Sequence, residues 1–170
     1  MRNLILTAIV LLTAITTYAQ EGVKFGVQGG IPFGDFNNRV SVVLGANVGY
    51  AYALGETIDL GLSIGYIHGL EETFQENLAA GASDVQFLPL AGSFRIWPSN
   101  SFSFGGEVGQ AIGINDGNDG GLYYRPQLGY MMGPRTEVNL SYTGIELDES
   151  SWATVTFGIR YTLPVFKEGF

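Results

Sequence analysis

Residues 153–163 read ATVTFGIRYTL, and apolar and polar side chains alternate along the whole run. The polar positions hold threonines, Gly158 and Arg160. The apolar positions are Val155, Phe157, Ile159, Tyr161 and Leu163. Since successive side chains of an extended chain point to opposite faces, this period of two predicts a β-strand whose faces meet different surroundings.

The same alternation recurs seven times upstream, in residues 22–33, 42–54, 58–67, 86–97, 102–114, 122–132 and 137–145. These runs match the roughly 9–11 residues that a tilted strand needs to cross a bilayer. Strands of soluble proteins are usually shorter, about five or six residues. The sequence therefore predicts an all-β chain, an eight-stranded antiparallel up-and-down transmembrane β-barrel.

The first 19 residues have the pattern of an export signal. Arg2 precedes a short apolar run, and Thr17 and Ala19 put small residues where a signal peptidase reads. We expect a signal peptide at 1–19 and a barrel domain at 20–170. No later apolar run is long enough for a transmembrane helix, and only helices and closed barrels satisfy the backbone inside lipid.

The predicted connections alternate in length. Those at 34–41, 68–84, 115–121 and 146–152 are longer and polar, whereas 55–57, 98–101 and 133–135 are tight. Short periplasmic turns and longer outer loops are typical of outer-membrane barrels with both termini in the periplasm.

Alternation alone does not decide which face points outward. The polar faces consist mostly of Gly, Ala, Ser, Thr and Asn, and charged residues make up only 14% of the chain. Such a surface is short of charge for the outside of a soluble barrel, but it suits the lining of a narrow lumen. Aromatic residues near the strand ends suit interfacial girdles. A soluble exported ligand-binding barrel, with its apolar face inside, remains the alternative.

At this point the chain resembles the small outer-membrane β-barrel domain proteins of Bacteroidetes-type bacteria, whose architecture is similar to OmpA- and OmpX-type barrels. The resemblance covers residues 22–163 and includes FLPLAGSFRIWPSNSFSFGGEVG and the last strand. It implies a barrel-assembly signal in that strand, made of Thr156, Gly158, Tyr161 and Leu163, with Leu163 where Phe is usual. It implies placement in the outer membrane but no particular activity.

Composition excludes several classes of function. The formal net charge is −8, which argues against nucleic-acid binding, since that requires a basic footprint. Cysteine is absent, so disulfides, thiolate nucleophiles and Cys-metal sites are excluded. The single histidine, His68, sits in IHGLEE without a serine or aspartate pattern that would activate a nucleophile. We expect a non-enzymatic protein without a cofactor or metal centre.

The predicted polar face carries a nearly balanced set of charges: Lys24, Asp59, Arg95, Glu107, Arg125, Glu137 and Arg160. Because unpaired buried charges are costly, we expect these side chains to pair and to plug the lumen. A narrow ion-permeable pore is the alternative reading of the same residues.

The predicted outer loops are acidic, and oxygen-rich loops bind divalent cations. The sequence NDGNDGG at 115–121 offers a weak cation loop through Asp116, Asn118 and Asp119, although EF-hand spacing is absent. The expected partners are therefore outer-membrane lipids, the barrel-assembly machinery, and an extracellular ligand or divalent cation at the loops. The expected role is structural or one of interaction at the cell surface.

Overall fold

The computed structural model describes residues 21–34, 40–71, 84–115, 118–148 and 150–164. Eight strands follow one another in chain order: β1 Gly22–Gly34, β2 Val40–Leu54, β3 Ile58–Glu71, β4 Val85–Ile96, β5 Phe102–Gly113, β6 Gly121–Met131, β7 Thr136–Glu146 and β8 Ser151–Pro164. Every strand pairs antiparallel with its neighbours, and β8 pairs with β1 to close the barrel. The predicted fold class is thereby confirmed. Within the described residues, no helix is long and apolar enough to span a bilayer.

The closing seam between β1 and β8 is continuous. Its register runs without a shift from Gly22 opposite Pro164 to Gly34 opposite Trp152. At about 3.3 Å per residue and a tilt of about 45°, strands of 11 to 15 residues rise roughly 26–35 Å, close to the thickness of a bilayer's hydrocarbon core.

Apolar side chains face outward all around the barrel. On β3, Leu60, Leu62 and Ile64 are 46%, 71% and 42% exposed. Asp59, on the inner face of the same strand, is 4% exposed. A soluble barrel would bury the first set and expose the second, because apolar surface is driven out of water. This arrangement confirms the predicted outward orientation of the apolar face.

The two ends of the barrel differ, and we name them by what they carry. The terminus end holds Glu21, Pro164 and the turns 55–57, 97–101 and 132–135; the loop end holds Gly34, Val40, the end of β3, the start of β4, and residues 114–115, 118–120, 147–148 and 150. The predicted long connection at 146–152 is wrong. β7 continues to Glu146 and β8 begins at Ser151, so only four residues connect them. The Leu147 amide donates a 3.0 Å hydrogen bond to the Ser150 carbonyl across this connection.

Candidate functional site

Seven charged side chains point into the lumen from its middle to its terminus end, and each strand except β2 contributes one. We call them the charged layer: Lys24, Asp59, Arg95, Glu107, Arg125, Glu137 and Arg160. None of them is more than 9% exposed. The strand period of two places them inside, because the neighbouring positions along each strand belong to the outer face. The structure thus brings together all seven charges that the sequence placed on the inner face.

Glu137 joins two of the arginines. Its carboxylate accepts hydrogen bonds from Arg95 Nη1 at 2.5 Å, and it lies 3.5 Å from Arg160 Nη1. Gly129 makes this arrangement possible, since a Cβ there would come within 2.7 Å of the Glu137 carboxyl carbon. Arg95 Nη1 also donates to Ser103 Oγ at 3.2 Å.

Glu107 forms a second junction, in the middle of the lumen. One carboxylate oxygen lies 3.5 Å from Arg160 Nη2, and the other lies 3.8 Å from Arg125 Nη1. The Tyr123 hydroxyl donates a 2.9 Å hydrogen bond to Glu107. Arg160 therefore connects the two carboxylates, Glu107 and Glu137, into one network.

Neutral side chains take up the remaining donors of two arginines. Arg125 Nε donates to Ser141 Oγ at 3.0 Å, and Ser141 in turn shares a 2.8 Å hydrogen bond with Thr156. Arg160 Nη2 donates to Gln127 at 3.1 Å. Such bonds offset the cost of removing charge from water.

Lys24 and Asp59 form a pair nearer the terminus end. Lys24 Nζ lies 3.4 Å from Asp59 Oδ2, and Trp97 Nε1 donates to the same oxygen at 2.8 Å. Trp97 thus attaches the turn after β4 to the charged layer.

The loop end of the lumen is filled by apolar side chains instead. We call this cluster the apolar plug: Val40, Val43, Ile67, Phe87, Ala91, Ala111, Tyr123, Ile145 and Trp152. Phe87 and Trp152 meet edge to face with their ring centroids 5.4 Å apart. Gly69 leaves room for the indole, since a Cβ there would lie 2.6 Å from Trp152 Cη2.

Sequence reasoning missed the apolar plug, although a signal was present. At the loop end of several strands an apolar residue occupies an inward position and breaks the alternation, as Val43 does between Val42 and Leu44. Tyr123 beside Tyr124 does the same on β6. Such local failures of period two mark the places where the inner face becomes apolar.

Little space remains between these side chains. One cavity of about 30 Å³ lies within the charged layer, and another of about 10 Å³ lies between Glu107 and Ile67. A cavity needs roughly 10–15 Å³ to hold one water molecule. The larger cavity therefore admits about two water-sized particles.

The predicted cation loop is only partly described, since Asp116 lies outside the described residues. Asn118 closes the loop: its amide nitrogen donates to the Gln86 carbonyl at 3.0 Å, and its amide oxygen accepts from the Gly120 backbone at 3.2 Å. Asp119 is exposed. Among the described residues, no group of three or more His, Asp or Glu side chains is placed to hold a metal ion.

His68 lies on the outer face near the loop end. Its Nδ1 is 3.1 Å from the Tyr66 hydroxyl, and its Nε2 is 3.3 Å from Asp84. The pair with Asp84 connects the end of β3 to the residue that precedes β4.

Comparison with solved structures places this geometry among known barrels. The N-terminal β-barrel domain of Pseudomonas aeruginosa OprF matches with a TM-score of 0.58 at 15% identity, over 85% of this chain and 99% of that one. The attachment invasion locus protein Ail of Yersinia pestis matches with a TM-score of 0.57 at 18% identity, over 84% and 99%. A structure from the de novo design of transmembrane β-barrels matches with a TM-score of 0.54 at 15% identity, over 84% and 96%.

The fold is that of the eight-stranded outer-membrane barrels. No protein-family model matches the chain, and no curated protein sequence matches it significantly. At these identities the likeness establishes the architecture, while function has to be argued from the residues.

The residues of the predicted assembly signal occupy the last strand of this outer-membrane barrel fold. Tyr161 and Leu163 face outward near the terminus end, 41% and 46% exposed. Thr156 is buried and bonds Ser141, while Gly158 lies opposite Gln28 on β1 and Asn139 on β7. The strand thus offers an outer face of aromatic and aliphatic side chains next to the closing seam.

Proposed function

We propose that the chain is an integral outer-membrane protein with a closed lumen, which acts through the surface of its loop end and not by conduction or catalysis. The observation that carries this proposal is the inverted distribution of side chains: the apolar face is outside, and the lumen is filled by both the charged layer and the apolar plug. Outer-membrane lipids are the partner of the outer face, because its aliphatic side chains lie between two girdles of aromatic side chains.

Two aromatic girdles support the membrane placement. Near the terminus end, Phe25, Tyr50 and Tyr161 face outward, and near the loop end Phe33 and Tyr142 do so. Amphipathic rings prefer the boundary between headgroups and hydrocarbon. Because outer-membrane barrels have short turns and both termini on the periplasmic side and longer loops outside, the terminus end faces the periplasm and the loop end faces the outside.

The loop end carries an acidic surface for partners outside the cell. Asp84, Asp119, Glu146 and Asp148 are described there, whereas the described lysine and arginine side chains lie in the lumen or, for Arg135, in a turn at the terminus end. An extracellular ligand with basic groups, or a divalent cation, fits this charge. The barrel-assembly machinery is the expected partner during insertion, through β8.

Membrane integration is tested by fractionation and by heat-modifiable mobility in gels. The full chain should co-sediment with outer membranes and should migrate faster before boiling than after, because a closed barrel resists the detergent. Recovery in the soluble periplasmic fraction, with no shift of mobility, would support the soluble ligand-binding barrel instead.

The narrow pore is tested by conductance in planar bilayers. We expect no ion current from the purified protein, since the two cavities of about 30 and 10 Å³ are too small for a hydrated path. The double variant Phe87→Ala/Trp152→Ala removes the aromatic pair of the apolar plug but leaves the charged layer, so it too should stay silent. Steady single-channel currents from the unmodified chain would establish the pore.

A further inference from the structure

The charged layer is not electrically balanced. Among the lumen side chains that the structure describes, four are cationic, namely Lys24, Arg95, Arg125 and Arg160. Three are carboxylates, namely Asp59, Glu107 and Glu137. Four minus three leaves one uncompensated positive charge in a region no more than 9% exposed. A net buried charge is strongly unfavourable unless something neutralises it.

The carboxylates are already shared. Glu107 serves both Arg125 and Arg160, and Glu137 serves both Arg95 and Arg160. No described carboxylate is therefore left over for the fourth cation. The same lumen also contains a polar atom without a partner: Arg95 Nη2 is buried and makes no hydrogen bond, although Nη1 of the same guanidinium makes three.

The larger cavity lies among these charges. Lys24, Arg95 and Arg160 line it together with Asp59 and Glu107, so its charged lining carries a net charge of +1. Ser63, Ser93 and Asn47 add neutral groups that can donate hydrogen bonds. Its volume of about 30 Å³ admits one small ion with, at most, a water molecule.

We propose that this cavity binds one small inorganic monovalent anion of the halide class, held by the free Nη2 of Arg95 and by the ammonium of Lys24. The anion completes the charge balance of the lumen and is a structural component of the folded barrel. Because it is buried beneath the plug and among ion pairs, it stabilises the barrel without being transported.

The first experiment compares the stability of the folded protein in sodium chloride and in sodium gluconate. Gluconate supplies the same ionic strength but is too large for the cavity. Urea unfolding of the full chain in lipid vesicles, followed by tryptophan fluorescence, should show a midpoint higher in chloride by about half a molar or more, as expected for a ligand that binds only the native state. Equal midpoints in the two salts would overturn the proposal.

A variant that supplies the missing negative charge covalently separates this site from general salt effects. Ser93→Asp places a carboxylate in the lining of the cavity, so the difference between chloride and gluconate should disappear and stability in gluconate should rise. Asn100→Asp adds the same charge in the exposed turn after β4 and should keep the full chloride dependence. If both variants keep that dependence, the effect lies elsewhere and the site is rejected.

Crystals of the unmodified protein grown or soaked in bromide give a readout that does not depend on any variant's folding. An anomalous peak within hydrogen-bonding distance of Arg95 Nη2 and Lys24 Nζ is expected. Bromide found only on the protein surface, or water alone in the cavity of well-ordered crystals, would contradict the proposal.

Discussion

The apolar plug and the charged layer occupy the same lumen, but they hold the barrel together by different means. The apolar plug consists of close-packed rings and aliphatic side chains, and its contribution scales with buried area and with the absence of voids. The charged layer consists of directional contacts, in which each side chain depends on a particular partner. The first should tolerate a change of shape at a graded cost, whereas the second should respond sharply to the loss of a single group.

Glu137→Ala should have the largest effect. It removes the carboxylate between Arg95 and Arg160 and leaves both guanidinium groups buried with fewer counter-charges. We expect a loss of about 3–5 kcal/mol in the free energy of unfolding, measured by urea titration in vesicles. Glu56→Ala, in the exposed turn 55–57, is the matched control and should change little. A loss of less than about 1 kcal/mol, as for an exposed ion pair, would mean that water rather than Glu137 solvates these arginines.

Truncation in the apolar plug should be next, and it should be graded. Ile145 is fully buried there, so Ile145→Ala should cost about 2–5 kcal/mol and Ile145→Val about 0.5–1.5 kcal/mol in the same titration. The fluorescence of Trp152 should shift with the larger truncation, because that indole packs in the same cluster. Equal costs for the two variants would show that the plug is not close-packed.

Ser141→Ala tests the neutral contacts of the charged layer. The variant leaves Arg125 Nε and the Thr156 hydroxyl without the partner they share, at an expected cost of about 1–3 kcal/mol. Ser150→Ala, in the connection between β7 and β8, removes the same atom from a half-buried site and serves as the control. No difference between the two variants would argue that the arginine does not depend on this serine.

The smallest effect, with the opposite sign, is expected at the boundary between the two regions. The hydroxyls of Thr143 and Thr154 are buried without a hydrogen-bond partner in the described structure. Thr143→Val keeps the shape and removes the unpaired hydroxyl, so stability should stay the same or rise by up to about 1 kcal/mol. Thr156→Val makes the same chemical change where the hydroxyl is bonded to Ser141, and it should lower stability. The idea is rejected if both variants shift the urea midpoint in the same direction.

Much of the fold follows from period two alone. Runs such as 153–163 set the number of strands and their inner and outer faces, because one side of each strand must meet lipid. The seven lumen charges could be assigned to the inner face for the same reason. Their partners could not be assigned in the same way. The pairing of Arg160 with Glu137 depends on the register between β7 and β8, and its pairing with Glu107 depends on the distance across the lumen to β5.

The apolar plug was hidden by the rule that identified the strands. Ile145 and Trp152 occupy inward positions that the alternation assigns to polar residues. The pattern predicts Ile145 as the last residue of a strand and Trp152 as the last residue of a polar outer connection. Ile145 on β7 lies directly opposite Trp152 on β8. Both side chains fill the lumen because the last connection is short. The apolar residue at each inward position is visible in the sequence, but the short connection that brings the two side chains together depends on the backbone hydrogen bond from Leu147 to Ser150.

The position of the closing seam has a consequence for the order of events during insertion. Lys24 on β1 pairs with Asp59 on β3, and Arg160 on β8 pairs with carboxylates on β5 and β7. The ion pairs described in the lumen thus lie to either side of the junction of β1 and β8, and none of them joins those two strands. An open, curling sheet can assemble its electrostatic contacts first. The final step is then the formation of backbone hydrogen bonds between β1 and β8, and its rate should not depend on the charges already in place.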